Sequence, residues 1–413
     1  MHATTKAILD YNRGREPERL KLKLKALRDD PFSFFRGTAP LFYQTLAMPA
    51  SLAGAPKVLA CGDLHLENFG SYKADNRLVY FDLSDFDEAC VAPLTFDVLR
   101  FLSSIHVGAK YLKIGSKKAD VLVTAFMETY TAALMTTKPR WVERSTATGP
   151  VKSLLQSLKN RHRIDLVQRR TERNKGKIDI IADGEHALPA SADDKARAES
   201  ILSAFASTRN SPAFFEPLAI ARRIAGNGSL GLERYVVLVR GTGTEDGRYL
   251  IDVKFAGPSA LAAAIRRAQP AWKSEGERVD WVERITQAIP PALLGSVGAG
   301  KRSYVIRELQ PTTDRVNLRA LDGKRKALTD VVRTMAEVAA WGHMRGATRF
   351  GADSVDAMAQ FAARTTWRKE IVQLAQKSAA LALAQWGEFS KDYDKWAEKK
   401  AGAVVKDVGW PID

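Results

Sequence analysis

Cys61-Gly62-Asp63-Leu64-His65-Leu66-Glu67-Asn68-Phe69-Gly70 directly follows a short apolar run, Lys57-Val58-Leu59-Ala60. The run suits a buried strand, and Gly62 suits the loop that leaves it. That loop offers a carboxylate, Asp63, and an amide, Asn68, separated by four residues. A hydroxyl nucleophile needs a carboxylate within hydrogen-bond range, and a hard cation such as Mg²⁺ needs oxygen ligands close by. A second strand, RLVYFDL over 77–83, comes after an Asp75-Asn76 turn and runs into Asp82-Leu83-Ser84-Asp85-Phe86-Asp87-Glu88. One carboxylate of this cluster is expected to be the second metal ligand. Either acidic stretch alone is a common surface loop. Two of them about twenty residues apart, each behind an apolar strand, predict a site.

Further along the chain, helical spacing recurs at Leu94, Val98, Leu102 and Ile105, and another helix is expected over 117–136. Residues 1–30 read as a basic helix. Residues 140–215 mix charge with little periodicity and predict an insertion carrying a short strand pair. RYVVLVRG (234–241) and RYLIDVKFA (248–256) flank a Gly-rich turn and predict a hairpin. A helix over 276–288, a strand at 302–309 and helices from about 326 onward complete the reading. Gly226-Asn227-Gly228-Ser229-Leu230-Gly231 precedes the first hairpin strand. Glycines at these offsets let backbone N–H groups approach phosphate oxygens. A dinucleotide-binding loop follows a strand and opens a helix, whereas this one opens a strand. The second hairpin strand then delivers Ile251-Asp252-Val253-Lys254.

Several of these segments resemble protein kinases. Asp63 and Asn68 have the spacing of the kinase catalytic loop. Gly62-Asp63-Leu64-His65-Leu66-Glu67-Asn68 looks like the GDLHPGN loop of aminoglycoside phosphotransferases and related small-molecule kinases. Ser84-Asp85-Phe86-Asp87-Glu88-Ala89 looks like their IDFDDA segment, and Thr95-Phe96-Asp97-Val98-Leu99-Arg100 like their AYDLAR helix. The resemblance implies that Asp63 is the catalytic base, that Asn68 and Asp85 bind metal with Asp82 or Asp87 next in line, that Asp97 braces the loop, and that His65 packs within it. Cys61 stands where that family has His, and Leu66-Glu67 where it has Pro-Gly. It further implies that Gly226, Gly228 and Gly231 cradle phosphates and that Lys254 contacts them. Glu283, with Glu277 second, is the expected helix partner of that lysine. Backbone near Glu308–Gln310 is the expected adenine contact. FFRGTAP, CGDLHLENFG, FDLSDFDEA and YVIREL together resemble a bacterial family known as domain of unknown function 2252. A kinase begins at its glycine loop, but here the catalytic loop comes first. The expected architecture is therefore α+β: a protein-kinase-like two-lobe fold, circularly permuted, with a mostly helical large lobe and a small antiparallel-sheet lobe. The expected divisions are 1–140 for the catalytic and metal loops, 141–215 for a basic insertion, 216–311 for the small lobe and 312–413 for C-terminal helices.

The chain has 413 residues and a formal net charge of +16, which favours anionic partners without choosing among them. Arg36, beside Gly37, is a candidate contact for phosphate or an acidic substrate. His343 reads as a packed helix residue. Cys61 and Cys90 are too few for a zinc site or a disulfide framework and read as small buried residues. No apolar run approaches the roughly 20 residues that span a bilayer. The first residues lack the apolar stretch of a secretory signal, which points to the cytoplasm. The expected function is an ATP- and Mg²⁺-dependent phosphotransferase acting on a hydroxyl acceptor. Alternatives are a nucleotidyltransferase on the same fold, or an inert kinase-like protein that binds nucleic acid or another polyanion.

Overall fold

The computed structural model describes residues 1–402 except 175, 266, 311–314 and 322–323. Residues 1–30 form two helices, Ala3–Tyr11 and Pro17–Asp29, broken at Gly14 and restarted by Pro17 with Glu16 as its cap. Short helices Pro31–Gly37 and Ala39–Thr45 follow, the first capped by Asp30 accepting from the Ser33 N–H.

Strand β1 (Lys57–Ala60) leads into β2 (Phe69–Lys73), β3 (Val79–Leu83) and β4 (Cys90–Pro93). β1 pairs with β4, ending at Ala60↔Cys90, and β2 pairs with β3, beginning at Phe69↔Leu83. The two pairings place the β1–β2 loop and the β3–β4 loop side by side. The loops carrying Asp63 and Asp85 are therefore neighbours by strand topology.

The helices Leu94–Val107 and Ser116–Met135 come next, and Ser116–Met135 packs against Arg325–Arg345. Leu94–Val107 is buried along almost its whole length and also packs on Thr366–Gly402. These helices and β1–β4 share the main core, with Leu99, Phe101, Phe126, Val331, Ala339 and Ile371 at its centre.

Helices Gly149–Ser157 and Arg163–Arg170 precede a hairpin of β5 (Thr171–Asn174) and β6 (Lys177–Ile180), the strand pair expected there. The expected boundary at 215 is not where the larger sheet starts. β7 (Ala187–Pro189) already belongs to it, and helix Ala192–Ala206 packs on it. β8 (Pro217–Arg223), β9 (Arg234–Val239), β10 (Tyr249–Phe255), β11 (Gly295–Ala299) and β12 (Arg302–Glu308) complete it. The order is β11-β12-β10-β9-β8-β7, antiparallel throughout. Helices Ala260–Ile265 and Glu275–Thr286 lie between β10 and β11. One face, with Val237, Val239, Ile251 and Val253, packs under Ala192–Ala206. On the other, Ala221, Val236, Leu238 and Leu250 pack against Val167 and Ile180.

The first helix meets the last described one. Thr5 donates to Asp392 at 2.7 Å and Thr4 to Glu388 at 2.6 Å. Ile8, Leu20, Leu24 and Leu27 pack with Phe389. The architecture is thus a mixed α+β chain of small antiparallel sheets within a helical body. No helix among the described residues is long and apolar enough to cross a membrane.

Candidate active site

The β1–β2 loop is held from behind by one buried carboxylate. Asp97 accepts hydrogen bonds from the Cys61 and Gly62 N–H groups, both at 2.9 Å. It also lies 3.1 Å from His343 Nε2, whose Nδ1 meets the Tyr130 hydroxyl at 2.8 Å. Gly62 has φ +81, and a Cβ there would lie 2.0 Å from the Glu88 carbonyl oxygen, so only glycine allows the two loops this approach. Asn68, 1% exposed, ties them together. Its Nδ2 donates to the Asp63 and Asp85 carbonyls at 3.0 and 3.1 Å, and its Oδ1 accepts from the Asp85 N–H at 2.8 Å. The side-chain oxygen expected to face a metal therefore already has a backbone partner, and Asn68 acts first as a link between loops.

Asp63 is ion-paired with Arg100 at 2.8 Å. That guanidinium is fully buried, lies over the Phe35 and Phe42 rings, and donates to the Phe35 carbonyl at 2.6 Å. Burial raises the Asp63 pKa in spite of Arg100. Against the facing loop, Lys254 Nζ of β10 stands 3.3 Å from Asp85 and 2.5 Å from Asp87. Burial alone would raise Asp85, but Lys254, then Arg307 and Arg234, outweigh it and hold its carboxyl well below the usual range. Asp87 is raised by burial and by the Asp85 charge, and burial pushes Glu88 up to about 7. Asp82 does not join them, which corrects its candidacy as a metal ligand. It is 1% exposed and accepts from the Leu83 and Ala288 N–H groups and from Arg345, so it anchors β3 to helix Arg325–Arg345.

Gly226 and Gly228 reach the same small cavity, of about 90 Å³, as Asp63, Asn68, Asp85 and Arg36. Gly226 sits at φ +74. Gly231 does not line this cavity. Its carbonyl accepts from the Glu16 N–H at 2.8 Å, and a Cβ on it would press on Arg15. Residues 1–30 read from sequence only as a basic helix, and two of their basic side chains hold the glycine loop. Arg15 donates to the Gly228 and Leu230 carbonyls at 2.7 and 2.9 Å. Lys23, buried, donates to Gly228 at 2.9 Å, and burial drives its pKa well down. No residue type in that run marks Arg15 or Lys23 apart from the other basic residues there.

The face of β10 that bears Lys254 also bears Asp252, which lies 2.6 Å from both Arg223 and Arg234 and is held far below the ordinary carboxylate range. Glu283 is not the partner of Lys254. It pairs with Arg307, and burial raises it to about 6. Glu277 accepts from the Lys273 N–H at the start of its helix. His65 is buried, its pKa is lowered by burial, and its Nδ1 accepts from the Glu67 N–H at 3.1 Å, so it packs within the loop. Arg36 enters the cavity paired with Glu67, which also accepts from the Tyr111 hydroxyl. Glu308 and Gln310 line a different and larger cleft. Glu308 pairs with Arg77 at 3.1 Å, and the Gln310 carbonyl accepts from Arg223 at 3.3 Å.

The profile of a family described as "Uncharacterized protein conserved in bacteria (DUF2252)" matches residues 15–392. No curated protein and no solved structure matches the chain.

Proposed function

The chain belongs to the DUF2252 family, whose description names no activity, so its chemistry must be argued from the site, and we propose that it binds a nucleoside triphosphate with Mg²⁺ and transfers a phosphoryl group to a hydroxyl acceptor. The observation that carries this reading is the ammonium of Lys254 standing between Asp85 and Asp87, in contact with residues about 170 positions earlier in the chain. The cavity beside it is shared by Asp63 and by Gly226 and Gly228. A carboxylate base, a carboxylate pair, a lysine and a glycine loop around one cavity are what phosphoryl transfer by positioning and charge neutralisation requires.

Asp63 is the base that takes the acceptor's proton. Burial lifts its proton affinity, while Arg100 fixes its direction. Asp85 and Asp87 are the residues that would hold Mg²⁺, with Lys254 moving from carboxylate to phosphate as the nucleotide arrives. Mg²⁺, when bound, neutralises phosphate oxygens. Asn68 keeps the base and the metal-binding carboxylates at a fixed separation. On this reading the six-stranded sheet with its glycine loop and lysine is the small lobe of a kinase-like fold, and the order of the elements is a circular permutation.

ATP titrated with and without Mg²⁺ while thermal unfolding is followed tests the proposal. Saturating nucleotide at about a hundred times its dissociation constant stabilises by about 2.7 kcal/mol. Unchanged melting at millimolar ATP with Mg²⁺ would refute it, and doubly labelled ATP would separate phosphoryl from nucleotidyl transfer.

A further inference from the structure

The cleft that receives Glu308 and Gln310 measures about 470 Å³ and shares no lining residue with the carboxylate cavity. Its size falls within the range of small-molecule sites, roughly 300–1,000 Å³. Three segments wall it: the β2–β3 hairpin, the stretch from Glu143 to Leu166, and the end of β12. Its floor is apolar, with Tyr72, Leu155, Leu158, Leu166 and Leu309.

The rim is basic. Lys73, Arg77, Arg144, Lys159, Arg161 and Arg163 oppose only Glu143 and Glu308 among the lining residues. Glu308 is neutralised by Arg77, and Glu143 accepts from Ser145 at 2.7 Å. Arg163 donates to the Asp246 and Arg248 carbonyls. Lys73 adds its charge to that of Arg77 on Glu308, and Arg144 and Lys159 form no side-chain hydrogen bond or ion pair among the described residues. A concave site with unspent positive charge at its lip and leucines at its base attracts an anion, and the leucines reward an apolar body attached to it. Arg144, Lys159, Arg161 and Arg163 all come from the stretch 141–215, read from the sequence as a basic insertion.

We infer that this cleft is a second ligand site, for a small organic anion whose apolar body rests on the leucine floor and whose charge is met by Lys73, Arg144 and Lys159. The inference is independent of the proposed phosphotransfer, because it uses none of that cavity's residues.

The test uses 8-anilinonaphthalene-1-sulfonate, a fluorescent sulfonate on an aromatic body, and its uncharged relative N-phenyl-1-naphthylamine. The comparison is between the full chain and the triple variant Lys73→Glu, Arg144→Glu, Lys159→Glu. The expected result is saturable sulfonate binding to the wild type, weakened about tenfold or more in the variant, with equal uptake of the uncharged dye by both and an unchanged melting temperature. Equal sulfonate affinity in the two proteins overturns the assignment, as does the absence of saturable binding to the wild type. So does tighter, charge-dependent retention of a single-stranded oligonucleotide than of the dye, which would make the cleft a track for a polyanion. A variant that fails to fold is replaced by Leu158→Asp, which must also weaken binding of the sulfonate; unchanged affinity there rejects the inference equally.

Discussion

Three neighbouring carboxylates on one loop, Asp85, Asp87 and Glu88, carry different proton affinities because they face different groups. Lys254 and two arginines depress Asp85, whereas burial and the Asp85 charge raise Asp87, and burial raises Glu88. Removing Asp85 still leaves Lys254 paired with Asp87. Asp85→Ala should therefore keep a melting temperature within about 3 °C of wild type while Mg²⁺-dependent nucleotide turnover falls a hundredfold or more. Full turnover in that variant would assign the metal to Asp87. Glu88 gives a pH test. Its folded value of about 7 lies above the ordinary 4.5, so its contribution to stability is intact below pH 4.5 and lost as the pH rises through 7. Glu88→Gln should match wild type in thermal melts at pH 4 and exceed it at pH 8, by on the order of 2 kcal/mol once partial exposure is allowed for. Equal melting at both pH values would show that the carboxyl is not desolvated. At this scale the sequence was legible for which polar residues meet: Asp63 and Asn68 on one loop, Asp85 on the next, and Asp97 on the helix behind them. It was opaque where a cross-strand neighbour decides. Nothing in the order of residues shows that Arg307 takes Glu283, or that Asp82 turns away toward Arg345.

The elements around the site follow from two strand pairings, and the tightest consequence is the contact between Gly62 and the Glu88 carbonyl. Gly62→Ala puts a methyl group into backbone rather than into a side chain that could turn away, at a φ that an L-residue rarely adopts. The cost should exceed about 4 kcal/mol, and the variant should lose much of its cooperative unfolding transition. A well-folded Gly62→Ala protein would mean that the loops are farther apart than they stand here. Hairpins and periodic helices were legible because each shows its own pattern. The stretch 140–215 was not, because its few apolar residues, Val167 and Ile180 among them, make sense only against the Ala221–Val236–Leu238 surface of a sheet formed mostly by later residues. A pattern completed by another part of the chain leaves no periodicity of its own.

At the scale of the whole molecule, the order of segments matters less than the seam that closes them. Helix Ala3–Tyr11 lies against helix Thr366–Gly402 through Thr4, Thr5 and His2, with Asp392 accepting from both His2 and Thr5. Glu398 is six residues past Asp392 on the same helix, roughly 9 Å further along its axis. A flexible linker of about eight residues from Glu398 to Ala3 therefore has ample reach, and closing so short a loop costs little entropy. The exposed turn between Asn210 and Ser211 offers a place to open the chain without cutting a strand or helix. Such a rearranged protein would begin with β8, the glycine loop and the lysine strand, and would end with the Asp63 and Asp85 loops and the segments that follow them. If the native order is a permutation of a kinase-like one, nothing in the cavity depends on where the chain starts. Helix Pro17–Asp29 still reaches Gly228 through Lys23, and Lys254 still reaches Asp85 and Asp87. The rearranged chain should unfold within about 5 °C of the native one and gain the same stabilisation from ATP with Mg²⁺. A folded rearranged protein that no longer responds to nucleotide, beside a native chain that does, would show that the site requires the native order and would defeat the permutation argument.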